Sequence, residues 1–271
     1  MKQHPPLLTP YAQGWKYDLP RPNDPINLTI DPRAVKHSPN FITDITMELP
    51  RSTSRLRGVG LCVAVVLTIS AIGAFCYWIT LALLSPYALD LLTSAIGLSA
   101  IALSLWLSCY CFRMDTEAPR DEAIRFNRAR KKIYVYRFHS SMLKPFSRKA
   151  WGVRPVVYDW DSLHAEFCST YGPMGNGGLI EIVTLAILEP GTRQVLDRFL
   201  FANDGHQGEV NWAMARLFMH HGPQALPSLH QAPRDWNDES IFNTARRLGP
   251  RVTWPLEMDL ESRTAPEDFT D

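Results

Sequence analysis

The run from Gly58 to Phe112 constrains this chain more than any other feature. Its 55 residues hold one charged side chain, Asp90. A bilayer core accepts about 20 helical residues per crossing. Thirty-two residues precede Asp90 in the run and 22 follow it, so two spans are predicted rather than one. Ser85-Pro86-Tyr87 joins a residue that cannot continue a helix to a polar neighbour. Helices are therefore expected near 58–84 and 88–112, antiparallel because the turn is short. Asp90 lies just past that turn and reads as a wetted helix end rather than part of an ion path.

Outside the run, 216 residues carry the other 54 charged side chains, the density of ordinary water-exposed domains. The net charge of +1 gives no bulk attraction to nucleic acid, and no nucleic-acid partner is expected. Four of the five cysteines sit within the apolar run, Cys168 stands alone, and no CxxC pair occurs, which excludes a disulfide framework and a zinc ribbon. The first 15 residues lack a continuous apolar segment, so no signal peptide is expected. Arg51, Arg55 and Arg57 precede the run, Arg113, Arg120, Arg125, Arg128, Arg130, Lys131 and Lys132 follow it, and the turn has neither Lys nor Arg. The positive-inside rule then predicts a multi-pass protein with both termini in the cytoplasm.

Four regions are expected: a Pro-rich extended arm (1–57), the helical hairpin (58–112), an α+β domain (113–222) and a second Pro-rich segment with an acidic tail (223–271). Nine of the first 50 residues are Pro, which forbids long helices, and Ile26, Leu28 and Ile30 alternate as a half-buried strand does. In the third region, strands are expected at Ile124–Arg128, Lys131–Phe138, Val156–Tyr158, Leu163–Phe167, Leu179–Leu188 and Gln194–Ala202. A helix at Gly208–His221 follows, stopped by Gly222-Pro223. Antiparallel strands followed by one helix predict an α+β layer, with a partly open barrel of the pleckstrin-homology kind as the nearest analogy. A short helix is expected near Asp238–Leu248. The stretch Glu257–Asp271, with six acidic residues to one Arg, reads as a solvated tail.

Candidate chemistry is sparse. Gly175-Asn176-Gly177-Gly178 leads into a strand, not the helix that a phosphate loop needs, and so reads as a hairpin turn. His164-Ala165-Glu166 lacks the PCxxC partner of the zinc deaminases. His220 and His221 are adjacent, so on a helix they cannot share a metal. Asp159 and Asp161 flank Trp160 and read more simply as turn residues than as a paired-carboxylate site. No catalytic, metal or cofactor residues are assigned, and the chain is read as a non-enzyme. Trp15, Tyr17, Trp236 and Trp254 in the Pro-rich segments are candidate partner-binding anchors. Arg113–Arg154 holds 12 Lys/Arg against four Asp/Glu. Arg125, Arg128, Arg130, Lys131 and Lys132 are candidate lipid-facing residues, each gaining about 1 kcal/mol at an anionic surface.

Gly14-Trp15-Lys16-Tyr17, the two-helix hairpin, Arg125-Phe126-Asn127-Arg128 leading to Lys132-Ile133-Tyr134, Tyr158-Asp159-Trp160 and Trp212 together resemble an uncharacterised family of Gram-negative bacterial membrane proteins. Those proteins are often found beside type VI secretion toxins. The resemblance implies a bacterial inner-membrane location and an immunity role, in which the protein neutralises a cognate toxin by stoichiometric binding. It carries over no catalytic residues. The alternative from another class is an inner-membrane scaffolding or lipid-binding protein without a toxin partner. A third, an enzyme or transporter accessory, would be built on Asp90 or on Asp159 and Asp161.

Overall fold

The computed structural model describes all residues except 1–5, 27–29, 52–56, 85–89, 172–177, 230–231, 236, 238–243 and 268–271. The strands are β1 (Trp15–Asp18), β2 (Phe41–Ile42), β3 (Thr46–Leu49), β4 (Ile124–Asn127), β5 (Lys132–Val135), β6 (Phe138–His139), β7 (Gly152–Val153), β8 (Val156–Asp159), β9 (Leu163–Tyr171), β10 (Leu179–Leu188) and β11 (Val195–Ala202). The helices are α1 (Val59–Leu84), α2 (Leu91–Thr116), α3 (Gly205–His221), α4 (Thr244–Leu248) and α5 (Leu256–Arg263).

Each hairpin helix has 26 residues, about 39 Å at 1.5 Å per residue, longer than a bilayer core of about 30 Å. The two are the helices long and apolar enough to cross a membrane among the described residues. Small and hydroxyl side chains join them. Ser108 donates to the Ala64 carbonyl at 2.8 Å and lies 2.7 Å from the Thr68 hydroxyl. Asp115 near the end of α2 accepts from the Gly58 and Leu61 amides, satisfying donors that the start of α1 leaves orphaned. At the far end Asp90 caps α2 by accepting from the Thr93 amide, which makes it the first turn's capping residue.

The remaining strands sort into antiparallel sheets. One has four strands, ordered β1-β9-β10-β11; a second has five, ordered β2-β3-β4-β5-β8; β6 and β7 form a separate pair. Strand β10 shows why: Val183, Leu185 and Ile187 alternate toward the interior, the period that puts every second side chain on one face. A single core joins both large sheets to α3, with Trp212 against Trp160 (centroids 5.2 Å apart) and Phe201, and Phe126 edge-on to Trp160. Two glycines let α3 sit this close. A Cβ at Gly208 would meet Val183 at 2.4 Å, and one at Gly205 would meet the Phe167 ring at 2.6 Å.

The α+β class, the antiparallel strands and the terminal helix stand as expected. The pleckstrin-homology analogy does not: no hydrogen-bonded closure into a barrel joins the sheets among the described residues. The Pro-rich arm contributes strands of its own. β1 pairs with β9, and β3 pairs with β4 from Thr46↔Asn127 to Leu49↔Ile124. The helical hairpin is thus an insertion between two paired strands, and the sheet body draws on residues from both sides of it. The strand expected at Ile26–Ile30 has its centre outside the described residues. The first half of the stretch read as a solvated tail, 257–263, is instead docked, because α5 lies on β4 and β5.

The expectation of a multi-pass inner-membrane protein with both termini in the cytoplasm is corrected. Only two of the described helices qualify as spans, and the bulk of the chain is a sheet-rich body. The flanking basic residues also have structural work inside that body. Arg51 donates to the carbonyls of Glu122, Leu200 and Tyr136. Arg57 donates to those of Asp115, Ala118 and Pro119, and Arg120 to those of Asn237, Arg247 and Gly249.

Candidate functional site

Strand β1 owes its position to Gly14. Its φ is 74°, a left-handed value that favours glycine, and an added Cβ would lie 2.4 Å from the Ser169 carbonyl oxygen. The Gly14 carbonyl accepts from the Ser169 amide at 2.7 Å. β1 is thereby laid along β9 as the edge of the four-stranded sheet. Trp15 donates from Nε1 to Asp18 Oδ1 at 2.9 Å, and Asp18 Oδ1 lies 3.1 Å from His164 Nε2. Tyr17 turns to the other face, stacks on Phe167 (centroids 4.6 Å, planes 10° apart) and donates its hydroxyl to Glu209 Oε1 at 2.8 Å. Partial burial, and then the Glu209 contact, raise the Tyr17 phenol above its ordinary range, so it stays a neutral donor.

The ribbon of β9 and β10 continues past the start of α3. Its register pairs Glu181 with Ser169 and Leu179 with Tyr171, on the face that carries Phe167 and Val183 farther in. Within the core that face is buried. At its outer end Tyr171 is 79% exposed and Leu179 50%. Tyr17, 43% exposed, borders the same face across β9. Exposed apolar side chains beside an unpaired strand edge, with Glu181 and Glu209 close by, form a surface suited to receiving another chain.

The other anchors proposed from sequence lie elsewhere. Trp254 packs edge-on to Tyr136 (5.1 Å) and under the Arg125 guanidinium (4.5 Å), so it pins the C-terminal segment to the five-stranded sheet. Trp236 lies outside the described residues. Of the candidate lipid-facing residues, Arg125 is a plain correction. It is 3% exposed and pairs with Glu48 and Asp259, because α5 brings its acidic face onto β4. Lys132 pairs with Glu261 at 2.9 Å. Arg130 donates to the Thr264 carbonyl at 3.0 Å, and Arg128 to that of Asp44 at 3.3 Å. Lys131, at the hairpin turn with φ 50°, is exposed. Arg125 and Lys132 therefore face the chain's own acidic helix α5.

Several of the residues considered for chemistry have structural partners. Asp161 accepts from the Asn23 amide group at 2.9 Å. His220 contacts the Pro22 carbonyl at 2.8 Å, and burial raises the Cys168 thiol. Among the described residues no group of three or more His, Cys, Asp or Glu is placed to hold a metal ion. Gly175–Gly177 lie outside the described residues. Two buried polar clusters escaped the sequence reading. Glu166, fully buried, pairs with Arg198 at 2.7 Å and accepts from the Ala12 amide. Asp121 accepts from the Arg51 and Glu122 amides and from Asn40. Both depend on a distant segment folding over a buried carboxylate, in strand β9 for Glu166 and just before β4 for Asp121, for which local sequence carries no signal.

Residues 101–244, from within α2 to the first residue of α4, match the model of a family of unknown function, DUF6708. No curated protein matches the chain, and no solved structure does.

Proposed function

The chain belongs to the DUF6708 family of unknown function, and from that premise we propose that it is a membrane-anchored protein whose sheet body binds another protein stoichiometrically. The hairpin is the anchor, and the uncovered end of the β9–β10 ribbon with the β1 edge is the capture surface. The observation that carries this reading is the exposed Tyr171–Leu179 pair continuing a core face beyond its cover. Edge strands offer unpaired amide and carbonyl groups, and aromatic anchors beside them supply most of the binding energy in such interfaces. Glu181 and Glu209 favour a partner that carries basic residues next to apolar ones. The resemblance to proteins found beside type VI secretion toxins supplies the class of partner, a toxin neutralised by being bound.

Titration against a candidate type VI secretion toxin, in a bacterium sensitive to it, tests this. Protection should rise to one equivalent and then stop. Tyr171→Asp with Leu179→Asp should abolish protection with an unchanged melting temperature, whereas Asp159→Asn with Asp161→Asn should preserve it. Protection by a substoichiometric amount, or full protection by the Tyr171/Leu179 variant, would overturn the proposal.

A further inference from the structure

The segment between β6 and β7 leaves the sheet body and runs back along α2. Trp106 donates from Nε1 to the Met142 carbonyl at 3.1 Å and meets the Phe146 ring edge-on at 5.7 Å. The Arg113 guanidinium donates to the carbonyls of Pro145 and Ser147. Trp151 Nε1 and the Ser147 amide both donate to the Lys144 carbonyl. The carbonyls of Met142, Lys144, Pro145 and Ser147 are thus satisfied by α2, by Trp151 and by the segment itself. Its apolar side chains are nevertheless largely uncovered: Met142 is 57% exposed, Leu143 82% and Phe146 65%. Lys144, Arg148 and Lys149 are exposed among them.

From this geometry we infer that residues 141–149 form a second membrane contact, a loop that inserts its apolar tip into the interface of an anionic phospholipid bilayer beside α2. The inference rests on the reading of the hairpin as a membrane anchor. Depth supports it. The charge-free run ends at Phe112, and Trp106 lies six residues before it, about 9 Å along the helix axis. Amphipathic segments that bind in the interface sit about 5–10 Å deep. A non-helical backbone at that depth is tolerated only where its polar groups are already paired, which is the arrangement around Met142, Lys144, Pro145 and Ser147. Three flexible cations on the same loop can reach up to the headgroups while their stems stay apolar, and their sign selects anionic lipid. The apolar tip is also continuous with the exposed surface of α2 through Trp106, so one bilayer can cover both.

The test uses the full chain reconstituted in vesicles of phosphatidylcholine, with or without phosphatidylglycerol. The photoreactive p-benzoylphenylalanine is placed in turn at Leu143, at Leu103 on the exposed face of α2, and at Tyr171 on the remote ribbon, and adducts are identified by mass spectrometry. Phospholipid adducts are expected at Leu143 and Leu103 and none at Tyr171. Adducts at Leu103 without any at Leu143 would overturn the loop insertion and leave the hairpin anchor standing. Adducts at neither would overturn the anchor and the inference together. Adducts at all three positions would overturn the loop's selectivity. In mixed vesicles the Leu143 adducts should be enriched in phosphatidylglycerol several-fold, and Lys144→Gln, Arg148→Gln and Lys149→Gln combined should remove that enrichment. Enrichment unchanged in the triple variant would overturn the anionic preference.

Discussion

Asp121 shows how a single residue couples the arm to the sheet. Its carboxylate receives the Arg51 amide, the Glu122 amide and Asn40, all in a buried setting. Burial raises its pKa from the ordinary 3.8 to about 6, against the opposing pull of those donors. The folded state therefore binds a proton more readily than the unfolded state between those two values, and stability falls as pH rises through that window. Above it, the ionised buried carboxylate costs at most about 3 kcal/mol. Asp121→Asn should flatten this part of the stability profile. Urea unfolding of both proteins on either side of the window checks it, and parallel profiles would assign the slope to other groups. None of this was legible beforehand, because Asp121-Glu122 reads locally as an exposed acidic pair. What buries it is Asn40 and Arg51, some 70 to 80 residues away in sequence.

Elements meet through small residues and through charge. The Val183 methyl lies 2.4 Å from where a Gly208 Cβ would stand, and Ala202 lies at 3.1 Å. Gly208→Ala must lift α3 from the four-stranded sheet, at a cost of about 1–3 kcal/mol. A melting temperature equal to that of the unchanged protein would show that the helix has room to move. The contact of α5 with β4 and β5 is electrostatic. The Asp259 carboxylate is subject to burial, which would raise its pKa, but its pairing with Arg125 and Arg263 outweighs this and holds it below the ordinary range. Lys132 does the same for Glu261. Both carboxylates are about a third exposed, so each pair contributes at most about 1 kcal/mol. Asp259→Asn with Glu261→Gln should speed amide exchange across Leu256–Arg263 by roughly tenfold, with little change in β10. Unchanged exchange would place the hold of α5 on Trp254 and the backbone contacts at Asn127 instead.

At the scale of the whole molecule, the hairpin is a long excursion between β3 and β4. Its base is closed where Gly60 meets the Cys111 carbonyl and Asp115 receives the Gly58 and Leu61 amides. Every strand of both large sheets, and α3, lies outside the excursion. A chain lacking residues 62–109, with Leu61 joined to Tyr110 by a short glycine linker, should keep a cooperative, strand-rich fold and no longer partition into vesicles of phosphatidylcholine alone. Circular dichroism with thermal melting and vesicle co-sedimentation measure the two halves of that statement. Loss of cooperative folding would mean that α1 and α2 are part of the body's core.

Local sequence is enough to announce the hairpin, the strands from Leu179 to Ala202 and the helix that stops before Gly222. Each is declared by a local regularity: an uncharged run of spanning length, a period of two, or a capped period of 3.6. Tertiary structure alone decided what the charged strand residues do and what the Pro-rich arm becomes. A lysine or arginine in a strand has the same local pattern whether it meets lipid, water or a carboxylate. The placement of Asp259 and Glu261 over Arg125 and Lys132 settles which. Tyr171 and Leu179 likewise keep the alternation of the buried face, one step beyond Ser169 and Glu181. They are exposed because α3 begins at Gly205 and leaves that end of the sheet uncovered, and no local period can encode how far another element extends.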